Sequence, residues 1–216
     1  SENSKFATMC EEVGIKFIGP SARVMDVMGD KINARAQMIK ANVPVIPGSD
    51  GEVHTAEEAL AVAEKIGYPV MLKASAGGGG KGIRKVEKAE DLVSAFETAS
   101  SEAKANFGNG AMYLERVIYP ARHIEVQILA DQMGHVIHLG ERDCSLQRNN
   151  QKVLEESPSI AIGKTLRNEI GAAAVRAAKS VGYENAGTIE FLLDEASGKF
   201  YFMEMNTRVQ VEHPVT

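Results

Sequence analysis

Lys199–Arg208 reads KFYFMEMNTR, and VQVEHP follows it at 209–214. The alternation predicts an extended strand whose successive side chains point to opposite faces. Glu204, Asn206 and Arg208 would share one face, and the methionines at 203 and 205 would share the other. A carboxylate, an amide oxygen and a guanidinium in one row suit a hard cation beside an anion such as phosphate or carbonate. A half-exposed edge strand with a fortuitous polar row fits these residues equally well.

The composition is that of an ordinary soluble globular protein, with 216 residues, 44% of them apolar and 25% charged. A net charge of -5 disfavours a general nucleic-acid or acidic-membrane binder. Cys10 and Cys144 lack metal-type spacing, which predicts free thiols in a reducing compartment. Because no membrane-spanning run or signal-peptide pattern is found, we expect a cytoplasmic protein. The chain starts at Ser1 without an initiator Met and stops at Thr216 directly after the polar cluster, so both ends are predicted to be cuts through a longer protein.

The order of helical and extended patterns predicts an α+β fold. Phe6–Val13 has helical spacing that Gly14 ends, and Ile15–Ile18 has the pattern of a short strand. Helix, strand, strand, helix and strand over 55–117 predict a small α+β unit. From 118 onward, three to five antiparallel strands and one helix predict a second unit.

Lys31 directly follows Asp30, a candidate N-cap for a helix that runs to Ala41. A lysine is unfavourable at a helix N-terminus because of the helix dipole. Lys31 is therefore either simply exposed or reaches an anion held nearby. These residues alone favour simple exposure.

A glycine loop follows the predicted buried strand Pro69–Lys73 and contains four consecutive glycines, Gly77–Gly80. Since glycine loses the most backbone freedom on ordering, such a loop is either a flexible linker or a flap whose amides approach a ligand. Ile83–Val86 has the pattern of a strand, which excludes the Rossmann arrangement, and glycine follows Lys81, which excludes a P-loop. A glycine loop between two antiparallel strands, with Lys73 ending the first, favours a phosphate flap over a solvated strand end.

The run Glu141–Lys152 is crowded with donors and acceptors and lies between apolar stretches. A charge run is usually a solvated face, but this mixture of both signs and amides could also line a cleft. His123, Glu125 and Gln127 share one face of the preceding predicted strand. A lone histidine on a sheet is more often structural than a ligand. His135 and His138 have the wrong spacing for a metal pair on one strand face, so the pattern assigns them no chemistry.

Five separated motifs together resemble biotin carboxylase, the ATP-grasp component of acetyl-CoA carboxylase and related biotin-dependent carboxylases. They are Met28–Lys31, Lys73 with Gly77–Gly82, Glu141–Ser145, Gln151–Lys152, and the highly specific Glu204–Pro214. The resemblance covers nearly the whole chain and implies an ATP-grasp fold. It implies the tail of a nucleotide-fold domain at 1–20, connecting helices at 21–44, a small lid subdomain with the glycine flap at 45–117, and an antiparallel-sheet subdomain at 118–216 that is incomplete at its C-terminal end.

The resemblance also implies an ATP site. Lys31 and Lys73 would contact the phosphates, which overturns the interpretation of Lys31 as simply exposed. The residues that would close over the phosphates are Gly77, Gly78, Gly79 and Gly80. Those that would bind at the adenine edge or near the ribose and phosphates are Glu115, Arg116, Ile118, His123 and Gln147.

A catalytic centre is implied in the same way. The residues that would hold Mg²⁺ or Mn²⁺ are Glu190 and Glu204, with Asn206 close by. Those that would hold bicarbonate are Lys152 and Arg208, and Glu212 would deprotonate it. Deprotonated bicarbonate would attack the γ-phosphoryl group of ATP, and the resulting carboxyphosphate would yield CO₂ for N1 of biotin.

The resemblance implies a carrier protein and a carboxyltransferase as partners in a full-length homodimeric enzyme, with acetyl-CoA carboxylase of fatty-acid synthesis as the expected system. Family members continue beyond the point corresponding to Thr216, so the chain alone is expected to be monomeric and inactive or weak. Asn149–Asn150 replaces an Arg-His pair common in relatives, so no ribose contact is carried over to position 150. Two other functions stay open. One is another bicarbonate-activating ligase similar to carbamoyl phosphate synthetase, which Arg208–Pro214 disfavours, and the other is a nucleotide-binding module without activity.

Overall fold

The computed structural model describes residues 2–75, 82–149 and 151–216. The helices and strands, in chain order, are α1 (Ser4–Glu12), α2 (Ala22–Gly29), α3 (Lys31–Lys40), α4 (Ala56–Ile66), β1 (Val70–Ala74), β2 (Ile83–Val86), α5 (Ala89–Phe107), β3 (Met112–Arg116), β4 (Ala121–Ala130), β5 (Val136–Arg148), β6 (Gln151–Glu156), α6 (Lys164–Val181), β7 (Asn185–Asp194), β8 (Phe200–Asn206) and a 3-10 turn (His213–Val215). Two compact units emerge, one from residues up to 45 together with 119–216, and one from 46–118. Among the described residues, every helix is too short or too polar to span a membrane.

The smaller unit contains a three-stranded antiparallel sheet in the order β2-β1-β3, packed against α4 and α5. Alternation along β1 buries Val70, Leu72 and Ala74 in the core of this unit. Lys73 therefore points to the opposite face of the sheet, away from the helices.

Two helix starts follow directly from capping residues. The Thr55 hydroxyl accepts a hydrogen bond from the Glu58 amide at 3.2 Å at the start of α4. The Asp30 carboxylate accepts from the Ile32 and Asn33 amides, both at 2.9 Å, at the start of α3. Such caps satisfy amides that have no partner within the helix. The helix start predicted at Asp30 therefore agrees with the structure.

The larger unit is organised by a five-stranded antiparallel sheet in the order β6-β5-β4-β7-β8. One face of this sheet contributes Ile124, Val126 and Ile189 to a core shared with α6. Small residues on α6 line the same core and allow close packing, namely Ala173, Ala174, Ala177 and Ala178. Since strand side chains alternate, the opposite face of the sheet is left for polar residues.

Two predicted elements differ from the structure. Ile15–Ile18 lies outside every described strand, and its two isoleucines are largely exposed. An apolar run becomes a strand only where a neighbouring backbone pairs with it, and here α1 ends at Glu12 and the chain turns at Gly14, which has a φ of +73°. The polar run Glu141–Lys152, predicted to lie between strands, instead forms much of β5 and the start of β6. Its charged side chains find partners across the sheet, which allows the ladder to continue.

A β-bulge at Met203 interrupts the alternation of β8. Phe202 before the bulge and Met205 after it both lie in the core. Met203 is 38% exposed whereas Met205 is only 6% exposed. The prediction that these two methionines share a face is therefore wrong. The extra residue switches the phase of the strand, so that Glu204 and Asn206 leave the core face on which Phe202 lies.

Candidate active site

A row of charged residues crosses four neighbouring strands on the polar face of the larger sheet. Arg142 of β5 pairs with Glu125 of β4, Glu125 pairs with Glu190 of β7, and Glu190 pairs with Glu204 of β8. Directly paired residues on adjacent strands have neighbouring side chains, and like charges in this arrangement repel. Three carboxylates in one row therefore need cations around them.

Lys152 supplies one of these cations. Its ammonium donates hydrogen bonds to Glu125 and to Glu190, the latter at 2.9 Å. Burial alone would lower the pKa of Lys152, but the hydrogen bond to Glu125 and the charge of Glu190 outweigh it and raise this pKa well above its usual value. Lys152 is thus a charged bridge between two carboxylates on neighbouring strands.

Glu190 has the most hydrogen-bond partners in this row after Arg142. Besides Lys152, its carboxylate contacts His123 Nε2 at 2.5 Å and accepts from Asn206 Nδ2 at 2.7 Å. Burial alone would raise the pKa of Glu190, but the His123 hydrogen bond and the Lys152 charge hold it at about 2. The Glu190 carboxylate is therefore ionised at neutral pH despite being buried.

Gln147 sets the orientation of the His123 ring. Its amide nitrogen lies 2.8 Å from His123 Nδ1 and 2.9 Å from the Cys144 carbonyl oxygen. Because an amide nitrogen only donates, Nδ1 accepts this hydrogen bond and the ring carries a proton on Nε2. The Nε2–H group then donates to Glu190. Gln147, His123 and Glu190 form one directed chain of hydrogen bonds.

Glu204 lies at the open end of the charged row. Crowding of its carboxylate by protein atoms and the negative charge of Glu190 raise the pKa of Glu204, although its side chain keeps exposed surface. The positive charge of Lys31 acts on the same carboxylate in the opposite direction. The first residue of α3 therefore lies within electrostatic reach of the row.

The segment after β8 carries the two remaining predicted catalytic residues of this unit. The half-buried Arg208 donates to the Val209 carbonyl oxygen at 3.3 Å, and its Nε lies 3.5 Å from the Glu2 carboxylate. The half-buried Glu212 acts on Glu155, whose pKa is raised first by burial and then by neighbouring carboxylates, that of Glu212 included. Glu212 thus lies close enough to Glu155 to affect its pKa, whereas Arg208 contacts Glu2 and Val209, and neither is among the described hydrogen-bond partners of Glu190.

The smaller unit holds the other predicted nucleotide-binding residues. The Lys73 ammonium donates to the Glu115 carboxylate across the ladder between β1 and β3. Arg116 ends β3, where its amide donates to the Pro47 carbonyl oxygen at 2.8 Å. Ile118 follows the strand and is half-buried. The predicted flap glycines at 77–80 lie outside the described residues.

Comparison with known proteins identifies the family of this chain. The family model described as the ATP-binding domain of the carbamoyl-phosphate synthase L chain matches residues 30–216. The chain belongs to this family. It is 58% identical over all 216 residues to biotin carboxylase 2, chloroplastic, of Populus trichocarpa, and it covers 41% of that protein. The chain spans about half the length of the curated relatives that it matches, or somewhat less.

Two solved structures resemble this member of the ATP-binding-domain family closely. The biotin carboxylase–beta-gamma-ATP complex from Campylobacter jejuni is 54% identical with a TM-score of 0.90, and the match covers 100% of this chain and 48% of that one. The biotin carboxylase domain dimer of 2-oxoglutarate carboxylase from Hydrogenobacter thermophilus, in complex with MgADP, ADP and bicarbonate, is 54% identical with a TM-score of 0.87, covering 99% and 47%. The predicted resemblance to biotin carboxylase and the α+β ATP-grasp class are therefore confirmed.

Within this family member, the larger unit brings five of the residues singled out from the sequence into one cluster. A single hydrogen-bonded cluster contains His123, Gln147, Lys152, Glu190 and Asn206. Glu204 and Lys31 adjoin it electrostatically. These positions are geometric findings, and the roles of the residues remain predictions.

Sequence reasoning missed the contribution of Glu125 and Arg142 to this cluster. The alternation of His123, Glu125 and Gln127 placed Glu125 on the correct face but gave it no partner. Arg142 belonged to a recognised motif without any role. Only the pairing register between β4 and β5 shows that these two residues face each other.

Proposed function

We propose that the full-length protein containing this chain carboxylates biotin on a carrier protein, with ATP and bicarbonate as the other substrates. The observation that carries this proposal is the cluster in which ionised Glu190 is bonded to Lys152, His123 and Asn206. It combines an acidic face with a fixed cation next to it. The likeness to proteins named biotin carboxylase supports the same reaction.

The donor set fits a hard divalent cation. Mg²⁺ and Mn²⁺ prefer oxygen ligands. Glu190 and Glu204 offer carboxylate oxygens, and Asn206 offers its amide oxygen. The ligand atoms of His123, Glu125 and Glu190 lie within 4.8 Å of one another, and this group shares only Glu190 with the predicted set. A cation held by Glu190, Glu204 and Asn206 would neutralise phosphate charge during the reaction.

Bicarbonate is proposed to bind beside this cluster. Lys152 and Arg208 supply positive charge for the anion, and Glu212 takes its proton. The deprotonated oxygen then attacks the γ-phosphorus of ATP, and ADP leaves. Carboxyphosphate forms and breaks down to phosphate and CO₂, and this phosphate takes the proton of biotin N1 as that nitrogen captures the CO₂. Most of the rate enhancement would come from positioning and charge neutralisation.

Nucleotide contacts are proposed from both units, each on its own residues. Lys31 in the larger unit would contact phosphate, with His123 and Gln147 near the ribose and phosphates. In the smaller unit Lys73 and the glycines at 77–80 would bind phosphates, and the backbone near Glu115, Arg116 and Ile118 would bind the adenine edge. The ion pair of Lys73 with Glu115 keeps that ammonium on the face of the sheet opposite the core.

The wider assignment is also a proposal. We assign the protein to an acetyl-CoA carboxylase of fatty-acid synthesis, acting in the cytoplasm with a biotin carrier protein and a carboxyltransferase, and as a dimer when complete. Cys10 and Cys144 are separate buried thiols, which suits a reducing compartment. A relative from a 2-oxoglutarate carboxylase makes another carboxyl acceptor, such as a 2-oxo acid, the main alternative within this reaction class.

A second candidate function is favoured by the family model itself, which is described from carbamoyl-phosphate synthase. Such an enzyme would also activate bicarbonate but would transfer it to ammonia. The test is bicarbonate-dependent ATP turnover by the full-length protein with either biotin or ammonia as the acceptor. Stimulation by biotin supports the proposal, and stimulation by ammonia alone contradicts it.

Replacement of the proposed base separates catalysis from nucleotide binding. Glu212→Gln should abolish bicarbonate-dependent turnover while ATP affinity stays within about twofold of wild type, because the change removes a proton acceptor and not a phosphate contact. Glu169→Gln, on the exposed face of α6, is the matched control. Full turnover by Glu212→Gln would remove this residue from the mechanism.

A further inference from the structure

Arg142 closes the charged row on the side opposite Glu204, and the proposed function gives it no role. Its side chain is fully buried, as is that of Glu125 next to it. A guanidinium buried in protein is unfavourable unless it is paired and its N–H groups are hydrogen-bonded. Burial of the Arg142 guanidinium therefore has a desolvation cost, and the contacts of this side chain indicate what offsets it.

All three guanidinium nitrogens donate to side-chain oxygens of described residues. The contacts are Nε to Glu125 at 2.5 Å, Nη1 to Gln127 at 2.9 Å and to Thr216 at 2.5 Å, and Nη2 to Thr188 and to Gln210, both at 3.3 Å. Glu125, Gln127 and Thr188 belong to the sheet, whereas Gln210 and Thr216 belong to the segment that follows it. One side chain thus ties the sheet to that segment.

Each set of contacts leads to a residue of the proposed bicarbonate site. Glu125 holds the Lys152 ammonium through its second carboxylate oxygen while the first accepts from Arg142. Gln210 and Thr216 flank Glu212 in sequence, two residues before it and four after it. The orientation of Lys152 and the position of Glu212 therefore share one anchor.

We propose that Arg142 is a positioning residue for bicarbonate, which fixes Lys152 through Glu125 and holds the segment that carries Glu212. This inference rests on the proposed function. A lysine could not replace Arg142, because three donors on a single nitrogen cannot reach acceptors that the planar guanidinium fork reaches with three nitrogens. Arg142 would not itself touch the substrate.

The test is Arg142→Lys in the full-length protein, with Michaelis constants measured separately for bicarbonate and ATP. The expected result is a roughly tenfold higher KM for bicarbonate with the KM for ATP within about twofold of wild type, as expected for lost hydrogen bonds to a charged group. Arg167→Lys is the control. Arg167 is also a partly buried arginine of the larger unit, but it donates to Glu141 at 2.7 Å and to loop carbonyls away from the row. It should change neither constant.

Circular dichroism and thermal unfolding show whether each variant folds. A folded Arg142→Lys protein with an unchanged KM for bicarbonate overturns the inference, as does an equal rise in both constants. If Arg142→Lys does not fold, Thr216→Val decides, because it removes only one acceptor at the surface. Thr216→Val should raise the KM for bicarbonate by about threefold, and no change in the folded variant overturns the inference. An inactive wild-type protein overturns the proposed function and this inference with it.

Discussion

Lys152 Nζ lies 2.9 Å from Glu190 Oε1, and the same nitrogen donates to Glu125, which faces Glu190 across the β4–β7 ladder. Two buried carboxylates on adjacent strands would otherwise repel each other in a medium where charges interact strongly. A lysine from β6 therefore makes the acidic row compatible with folding. It also keeps Glu190 ionised, and the Glu190 carboxylate forms its other hydrogen bonds with His123 and Asn206.

Stability should depend on pH through Glu190. Its pKa is depressed from 4.5 to about 2, so the ionised form stabilises the fold above pH 4.5 and that stabilisation is lost as the pH falls towards 2. At about 1.4 kcal/mol per unit, the contribution near neutral pH is about 3 kcal/mol. Urea unfolding of wild type and Glu190→Gln between pH 7 and pH 3 should give a stability gap of this order at pH 7, narrowing to about half at pH 3.

A matched substitution separates this effect from general acid sensitivity. Glu169→Gln removes an exposed carboxylate on α6 and should lower stability by less than about 0.5 kcal/mol at every pH. A gap between wild type and Glu190→Gln that stays constant with pH would contradict the depressed pKa of Glu190.

Glu204 should titrate differently once Glu190 is neutral. Crowding of its carboxylate by protein atoms and the Glu190 charge together raise the pKa of Glu204, so removing that charge in Glu190→Gln should lower it. Carboxyl-carbon NMR titration of the two proteins measures the shift directly. An unchanged or higher pKa of Glu204 in the variant would mean that the two carboxylates do not interact across the β7–β8 ladder.

The general architecture could be predicted from local patterns. The cap at Asp30 predicted the start of α3, and strand alternation placed His123, Glu125 and Gln127 on one face of β4. The strand predicted at Ile15–Ile18 failed because its apolar pattern says nothing about whether a pairing backbone is available. The polar part of β5 was missed for the converse reason, since its charged side chains are satisfied by partners distant in sequence, Glu125 above all.

The candidate site was only partly predictable for the same physical reason. Motif resemblance singled out Glu190, Lys152 and Asn206, which do share hydrogen bonds. Strict alternation along β8 would have placed Glu204 and Asn206 on the same face as Phe202, which is the core face. In the structure they lie on the opposite face. The bulge that separates them from Phe202 adds one residue to β8 and leaves no simple signature in KFYFMEMNTR. Registers between strands, which align Arg142 with Glu125, are set by tertiary structure.

Because of the bulge, we expect Met203 and Met205 of β8 to contribute unequally to the free energy of unfolding. Met205→Ala should cost about 2–4 kcal/mol of unfolding free energy, because it leaves a cavity in the core of the larger unit. Met203→Ala should cost less than about 1 kcal/mol, since this side chain is part of the bulge and considerably exposed. Urea unfolding of both variants makes the comparison. Equal losses would be the result expected of regular alternation and would argue against the bulge.

Gln147 should control which nitrogen of His123 is protonated. Gln147→Leu removes the amide that donates to Nδ1, so part of the population should carry its proton on Nδ1 and lose the donation from Nε2 to Glu190. The pKa of Glu190 should then rise from about 2, because the hydrogen bond from His123, the contact that lowers this pKa most, weakens. Two-bond proton–nitrogen NMR spectra report the tautomer, and carboxyl titration reports the pKa. Gln151→Leu, at an exposed position of β6, should leave both unchanged. A variant at position 147 that keeps the Nε2–H tautomer and the low Glu190 pKa would show that other contacts orient the ring.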